Sequence, residues 1–243
     1  MSTDLNGSEA VTTIVVTGAS QGIGAEIAKA FAKAEKDNVV LLLARSEQKL
    51  KEVTAACQQL GAEAHYFVCD VTNDAQVKVI SNKIIAQWGA PQVLVNNAGL
   101  YQPSSFETPS DEFRAQVDIN LTSAFLVTQA FLPAMLAKKW GDIFFLCSIA
   151  SLHAYPGSVA YCAAKHGLLG LARVLREETK QQGIRVTSVM PGATLTPAWD
   201  GVNLPLERFI PAGDIAKTIV DIYQLDRSTN VEEIIVRPRL GDI

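Results

Sequence analysis

The feature that most constrains this chain is a set of seven short apolar runs separated by stretches of helical length. They are TTIVVT (12–17), NVVLLLA (38–44), AHYFVC (64–69), QVLVN (92–96), DIFFLC (142–147), RVTSVM (185–190) and VEEIIV (231–236). Several are apolar at consecutive positions, without the polar alternation of a strand that has one wet face, so both faces must be covered. The stretches between them carry apolar residues at helical spacing. Strands and helices in this rhythm build a parallel sheet joined by right-handed crossovers. One helix is announced by ETPSDEF (107–113): Thr108 suits its cap, Pro109 its first position and Asp111 its dipole, and Pro133 is expected to end or kink it. No internal repeat, low-complexity tract or linker interrupts the 243 residues, so a single domain spanning 1–243 is expected.

The first run leads into TGASQGIGAEIAKAFA, where Gly18, Gly22 and Gly24 follow a strand and open a helix. Such a turn brings backbone N–H groups to a diphosphate, which the helix dipole also attracts. The expected fold class is therefore α/β: a Rossmann-type, doubly wound parallel sheet of about seven strands, with helices on both faces and three layers. The second run ends in Ala44, Arg45 and Ser46, where NAD binders carry an acid for the ribose 2′-hydroxyl. An acid would repel a 2′-phosphate, whereas Arg45 and the Ser46 hydroxyl can bind one. NADP(H) is thus expected over NAD(H). Gln21 stands where a basic residue would have given that phosphate a second anchor. The alternative is a solvated Arg45, with Ser46 as an ordinary N-cap.

Composition removes other classes. With 48% apolar and 19% charged residues the chain is globular and not disordered. A net charge of −4, with no Lys/Arg cluster, argues against nucleic acid or an anionic membrane surface as partner. Cys57, Cys69, Cys147 and Cys162 fall at irregular spacings, and with His65, His153 and His166 they form no metal-ligand pattern, so buried reduced thiols and no metal are expected. The start, MSTDLNGSEA, has no basic stretch followed by an apolar one, and no apolar run approaches the ~20 residues of a membrane span, so a soluble, cytoplasmic protein is expected.

In order along the chain stand TGASQGIG (17–24), Asp70 and Val71 in CDV, NNAG (96–99), Asn120 in DINLTSAF, Ser148 thirteen residues before Tyr161, YCAAK (161–165) and PGATLT (191–196). With these motifs the chain resembles the short-chain dehydrogenase/reductases over nearly its whole length. The resemblance implies a catalytic set of Asn120, Ser148, Tyr161 and Lys165. It implies cofactor contacts at Gly18, Ser20, Gln21, Gly22, Ile23, Gly24, Asp70, Val71, Asn97, Ala98, Gly99, Tyr161, Lys165, Pro191, Gly192, Thr194 and Thr196, beside Arg45 and Ser46. Tyr161 and Lys165, four apart on a helix, share a face about one turn apart. A free phenol has a pKa near ~10, and a neighbouring cation is expected to lower it. Ser148 would donate a hydrogen bond to the carbonyl oxygen. By resemblance Lys165 also bonds the nicotinamide ribose, and Asn120 holds a helix irregularity and a water that passes protons to Lys165.

The substrate is expected to be a small carbonyl compound. Leu100, Tyr101, Ile149, Ala150, Tyr155, Leu195 and Trp199 suggest an apolar, aromatic pocket built mainly from 194–211 and the loops after the fourth and fifth strands. The segment 194–211 is short for a lid, and Asp200, its one acid near the pocket, is expected to face solvent. GDIFFLCSIAS, PGATLTPAW and VEEIIVRPRLGDI are similar to bacterial sepiapterin-reductase-like members of the family. A 3-ketoacyl reductase or general alcohol dehydrogenase of the same mechanism stays open, as does, more distantly, a non-enzymatic dinucleotide sensor. Family members pair through the helices that here begin near Ser110 and Ser158, which implies a homodimer or homotetramer.

Overall fold

The structure, a computed structural model, describes residues 11–35 and 37–243; the polar segment that precedes them lies outside the described residues. Seven parallel strands form one sheet: β1 (Thr13–Thr17), β2 (Val39–Ala44), β3 (Glu63–Val68), β4 (Val93–Asn96), β5 (Gly141–Leu146), β6 (Ile184–Pro191) and, last in the chain, Glu233–Val236. Their order is β3-β2-β1-β4-β5-β6 followed by that last strand, so the direction of winding reverses between β1 and β4. Helices α1 (Gly22–Ala34), α2 (Glu47–Gln59), α3 (Asp74–Trp88), α4 (Ser110–Val117), α5 (Ser123–Lys138), α6 (Val159–Thr179) and α7 (Ala212–Tyr223) supply the crossovers. A short ladder not anticipated from the sequence pairs β7 (Thr194–Leu195) with β8 (Ile210–Pro211). The final strand of the sheet is therefore β9 (Glu233–Val236).

Successive residues of each central strand feed opposite layers, which is why those strands read as unbroken apolar runs. Ile14 and Val16 on β1 join Val40, Leu42, Val95 and Phe144 beneath Ile27 and Phe31 of α1 and Ile215 and Ile219 of α7. Val15 joins Leu41, Leu94, Ile143 and Phe145 against Ile84 of α3, Phe131 of α5 and Leu168 and Ala172 of α6. Only the outer strands β3 and β9 stay partly open. The α/β, three-layer expectation holds.

Two local expectations fail. Thr108 does not cap α4: its hydroxyl accepts the Ser105 N–H at 2.8 Å and closes a turn, and Pro109 occupies the cap position. Of the two outcomes expected at Pro133, an end or a kink, the end does not occur, since α5 runs on to Lys138. The irregularity lies earlier, in a single π-helical turn at Asp118–Thr122 between α4 and α5. The whole stretch Ser110–Lys138 is long enough and apolar enough, by length and composition, to cross a bilayer. Here it carries Val127, Phe131 and Met135 into the core.

Candidate active site

Every sequence motif singled out follows the carboxyl end of a strand or lies on a helix that packs there. In an open α/β sheet that edge, at the reversal of winding, is where ligands bind.

The turn between β1 and α1 is stapled to the segment after β4. The Thr17 hydroxyl accepts the N–H groups of Asn97 (3.0 Å) and Ala98 (3.1 Å), and the Asn97 amide donates to the Thr17 carbonyl at 2.9 Å. Gly24 is where the two approach most closely: a Cβ there would collide with the Asn97 side-chain amide, and within the turn it would lie 2.5 Å from the Gly18 carbonyl oxygen. Gly22 takes φ +58°, in the left-handed region that favours glycine. Gln21 precedes the helix without a side-chain cap, and no acid stands in the first turn of α1. Backbone N–H groups at Gly22, Ile23 and Gly24 thus open beside Ser20 with no acid of that first turn opposing a diphosphate. A cradle this free of side chains fits a dinucleotide. Thr196 closes it from the other side, 3.3 Å from where a Gly22 Cβ would stand.

At the end of β2, Arg45 is exposed and Ser46 half-buried; Ser46 does take the N-cap position of α2, but its hydroxyl makes no capping bond. The acid that follows, Glu47, is engaged elsewhere, with Lys51 at 2.9 Å and the Tyr66 hydroxyl at 3.2 Å. Lys49 was not anticipated. Its ammonium donates to the Gln21 side-chain oxygen at 2.5 Å, so the cation missing from the glycine turn arrives from α2, 28 residues away. Its signal was faint: Lys49 stands in the first turn of the helix that follows Arg45 and Ser46. Asp70, after β3, accepts Thr72 N–H and hydroxyl through Oδ1 alone, and those bonds, with the more distant Arg45, hold its carboxyl below the usual range. Val71 beside it is buried.

The reacting end gathers on α6. Lys165 is 4% exposed, and its ammonium donates to the Leu146 carbonyl at 2.7 Å. It lies 5.6 Å from the Tyr161 ring centroid. Asn120 sits in the π-helical turn, as expected of a helix irregularity. It donates to the carbonyls of Leu100 (2.8 Å) and Gln116 (2.9 Å) and accepts the Leu100 N–H at 3.1 Å. A Cβ on Gly99 would meet Asn120 Oδ1 at 2.8 Å and Lys165 Nζ at 3.5 Å, so the two side chains converge there. Ser148 ends the β5 segment and caps a short turn, Ile149–Ser151, its hydroxyl accepting the Ala150 N–H at 3.1 Å. Pro191 ends β6; Gly192 is tied to β9, and the Thr194 hydroxyl donates to the Gly192 carbonyl at 3.0 Å.

The electrostatics correct one expectation. Burial pushes the Tyr161 phenol up to about 12, with hydrogen bonding from Ser148 acting the other way, and pushes the Lys165 ammonium down to about 8. Lys165 therefore gives up its proton first, and no cation is present when the phenol would titrate. In the protein alone Tyr161 is a neutral phenol, not a tyrosinate.

The pocket residues divide. The Tyr101 ring packs edge-on against Tyr161 at 5.3 Å between centroids. Trp199 packs edge-on against Phe209 at 5.1 Å within the segment 194–211. The Tyr155 hydroxyl is already committed, donating to Asp242 at 2.7 Å. Asp200 is exposed. Of the cysteines, Cys57, Cys69 and Cys147 are buried, and burial pushes each thiol up to about 11; Cys162, expected to be buried, is only half so.

The profile of the short chain dehydrogenase family matches residues 12–206. The chain belongs to that family. A sepiapterin reductase of Chlorobaculum tepidum is 33% identical over 237 residues, covering 95% of this chain and 97% of its own. Among solved structures, an alcohol dehydrogenase from the archaeon Thermococcus sibiricus, complexed with 5-hydroxy-NADP, superposes with a TM-score of 0.88 at 27% identity. It covers 96% of this chain and 99% of its own. A metagenomic short-chain oxidoreductase in complex with NADP gives 0.83 at 32% identity over 93% and 97%.

Proposed function

We propose that this chain is an NADP(H)-dependent carbonyl reductase, acting on a small aromatic or dicarbonyl compound of the kind a sepiapterin reductase accepts. The observation that carries the reading is the neutral Tyr161 phenol beside Ser148 and the buried Lys165, at the edge where a dinucleotide cradle opens. NADPH, once held in that cradle, would supply the hydride. Tyr161 supplies the proton to the substrate oxygen, a transfer for which a phenol protonated at neutral pH is suited. Ser148 donates to the same oxygen and positions it. Lys165, free of any carboxylate partner among the described residues, has donor N–H groups left for the cofactor ribose, and Asn120 holds the Leu100 backbone at that point. Arg45, Ser46 and Lys49, with Glu47 turned away, favour a 2′-phosphate over a bare hydroxyl.

The substrate would lie against Tyr101, Trp199 and the Tyr155 loop. Exposed apolar residues on α5 and α6, Phe125 and Val174, support a homodimer or homotetramer through those helices. Purified protein with NADPH, tested against sepiapterin, a diketone and a ketoacyl thioester, decides the substrate class. Reduction of the thioester alone would replace the reading with a ketoacyl reductase. Tyr161→Phe keeps the ring and removes the acid, and is expected to lower kcat about a thousandfold. Unchanged turnover in that variant would defeat the assignment of Tyr161.

A further inference from the structure

Beyond β9 the chain makes contacts that neither cofactor binding nor proton transfer explains. The Gly192 N–H donates to the Val236 carbonyl at 2.8 Å, which ties the end of β9 to the proline–glycine turn. The chain then doubles back: Gly241 N–H donates to the Pro238 carbonyl at 2.9 Å, with Gly241 at φ +83°, where glycine is favoured. The turn returns Asp242 to Arg237, whose guanidinium donates to Oδ2 at 2.6 Å. The same oxygen accepts the Tyr155 hydroxyl at 2.7 Å, and the Asp242 carbonyl accepts Arg208 at 2.7 Å. One residue thus joins the loop after β5, the segment between β7 and β8, and the end of β9. Asp242 Oδ1 and Arg208 Nε are buried there without partners in the protein. A buried unpaired polar atom destabilises by about 1–3 kcal/mol, so stability alone does not account for the junction.

We propose that residues 237–242 form a brace that sets the width of the substrate space, with Asp242 as its positioning residue. The proposal rests on the carbonyl-reductase reading, because it joins the Tyr155 loop to Arg208, the neighbour of the Phe209 that packs on Trp199. It also gives the RPRLGDI segment a purpose that the catalytic and cofactor residues leave open.

The test uses the full chain with Asp242→Ala, Asp242→Asn and Tyr155→Phe, assayed on carbonyl compounds of two sizes. Asp242→Ala should raise the KM of the better substrate about tenfold and shrink the preference between sizes, with NADPH affinity by fluorescence titration held within about twofold. Asp242→Asn, which keeps an acceptor for Tyr155, should recover part of that loss. Tyr155→Phe should give a smaller loss that does not add to Asp242→Ala, since both cut one contact. Independently of turnover, proteolysis within 200–208 should quicken in Asp242→Ala. Unchanged KM and unchanged cleavage would overturn the brace. So would equal losses in NADPH affinity and thermal stability, which mark a general structural role. A wild type that reduces no carbonyl overturns the reductase reading, and the cleavage comparison then still decides the brace.

Discussion

At the amino edge of the sheet, Asp142 at the start of β5 is 2% exposed and lies between two guanidiniums. At the carboxyl edge, Lys165 is 4% exposed with one backbone carbonyl as its acceptor. Burial acts on both, pushing the Asp142 carboxyl up and the Lys165 ammonium down. At the amino edge Arg185 (2.7 Å) and Arg227 oppose it, and Arg185 also donates to the carbonyls of Tyr223, Leu225, Asp226 and Thr229. At the carboxyl edge no carboxylate among the described residues opposes it. A charge with every bond made fixes strands; a buried charge left short of partners carries a lowered pKa, about 8 for Lys165. The same core thus anchors at one edge and stays chemically available at the other.

Removing each charge tests that contrast, because the two changes should move stability in opposite directions. Asp142→Ala leaves two guanidiniums facing each other and is expected to destabilise by about 3–5 kcal/mol in chemical denaturation, with turnover per folded molecule preserved. A loss below about 1 kcal/mol would mean the arginines re-pair with water and that the cluster is no anchor.

Lys165→Met should do the reverse. The folded pKa, about 8, lies below the ordinary 10.5, so between those values the unfolded chain binds a proton the native state refuses. Below pH 8 the native state holds a buried charge at full penalty; the penalty fades as pH rises from 8 toward 10.5 and is gone above it. The variant should therefore be more stable than wild type by about 2 kcal/mol at pH 7, a discounted figure for burial of this kind, with the difference closing in alkali. Turnover should fall with it, the usual exchange of activity for stability. A destabilised variant at pH 7 would show that the bond to Leu146 outweighs desolvation.

The two edges were not equally legible in the sequence. The carboxyl edge is built from residues that immediately follow strands, so finding the strands locates Gly18, Asp70, Asn97, Ser148 and Pro191 together. Tyr161 and Lys165 are likewise local, one helical turn apart. The amino edge depends on Asp142 meeting residues 43 and 85 positions away, and nothing local marks those meetings. Distance along the chain also hid the bond from Lys49 to Gln21 and that from Tyr155 to Asp242, 87 residues on. The phenol pKa was misjudged for a related reason. Spacing reveals that an amine is near, whereas desolvation depends on everything packed around the pair. Pro133 does not stop its helix because a single residue does not set a helix end where tertiary packing carries α5 past it.

The smallest effect belongs to the exposed charges at the start of α2, where water screens what burial would magnify. Lys49, in the first turn of α2, bonds Gln21 of the glycine turn, Arg45 stands exposed just before that helix, and Glu47 between them is held by Lys51 and Tyr66. If they bind a 2′-phosphate, their loss must discriminate between cofactors. Arg45→Ala should weaken NADPH binding about tenfold and Lys49→Gln about threefold in equilibrium titration, with NADH affinity held within about twofold and both losses shrinking at high salt. Equal weakening of NADPH and NADH would mean the pair only shapes the loop. An enlarged NADPH loss in Lys49→Gln over Arg45→Ala would move the main anchor from the strand end onto the helix.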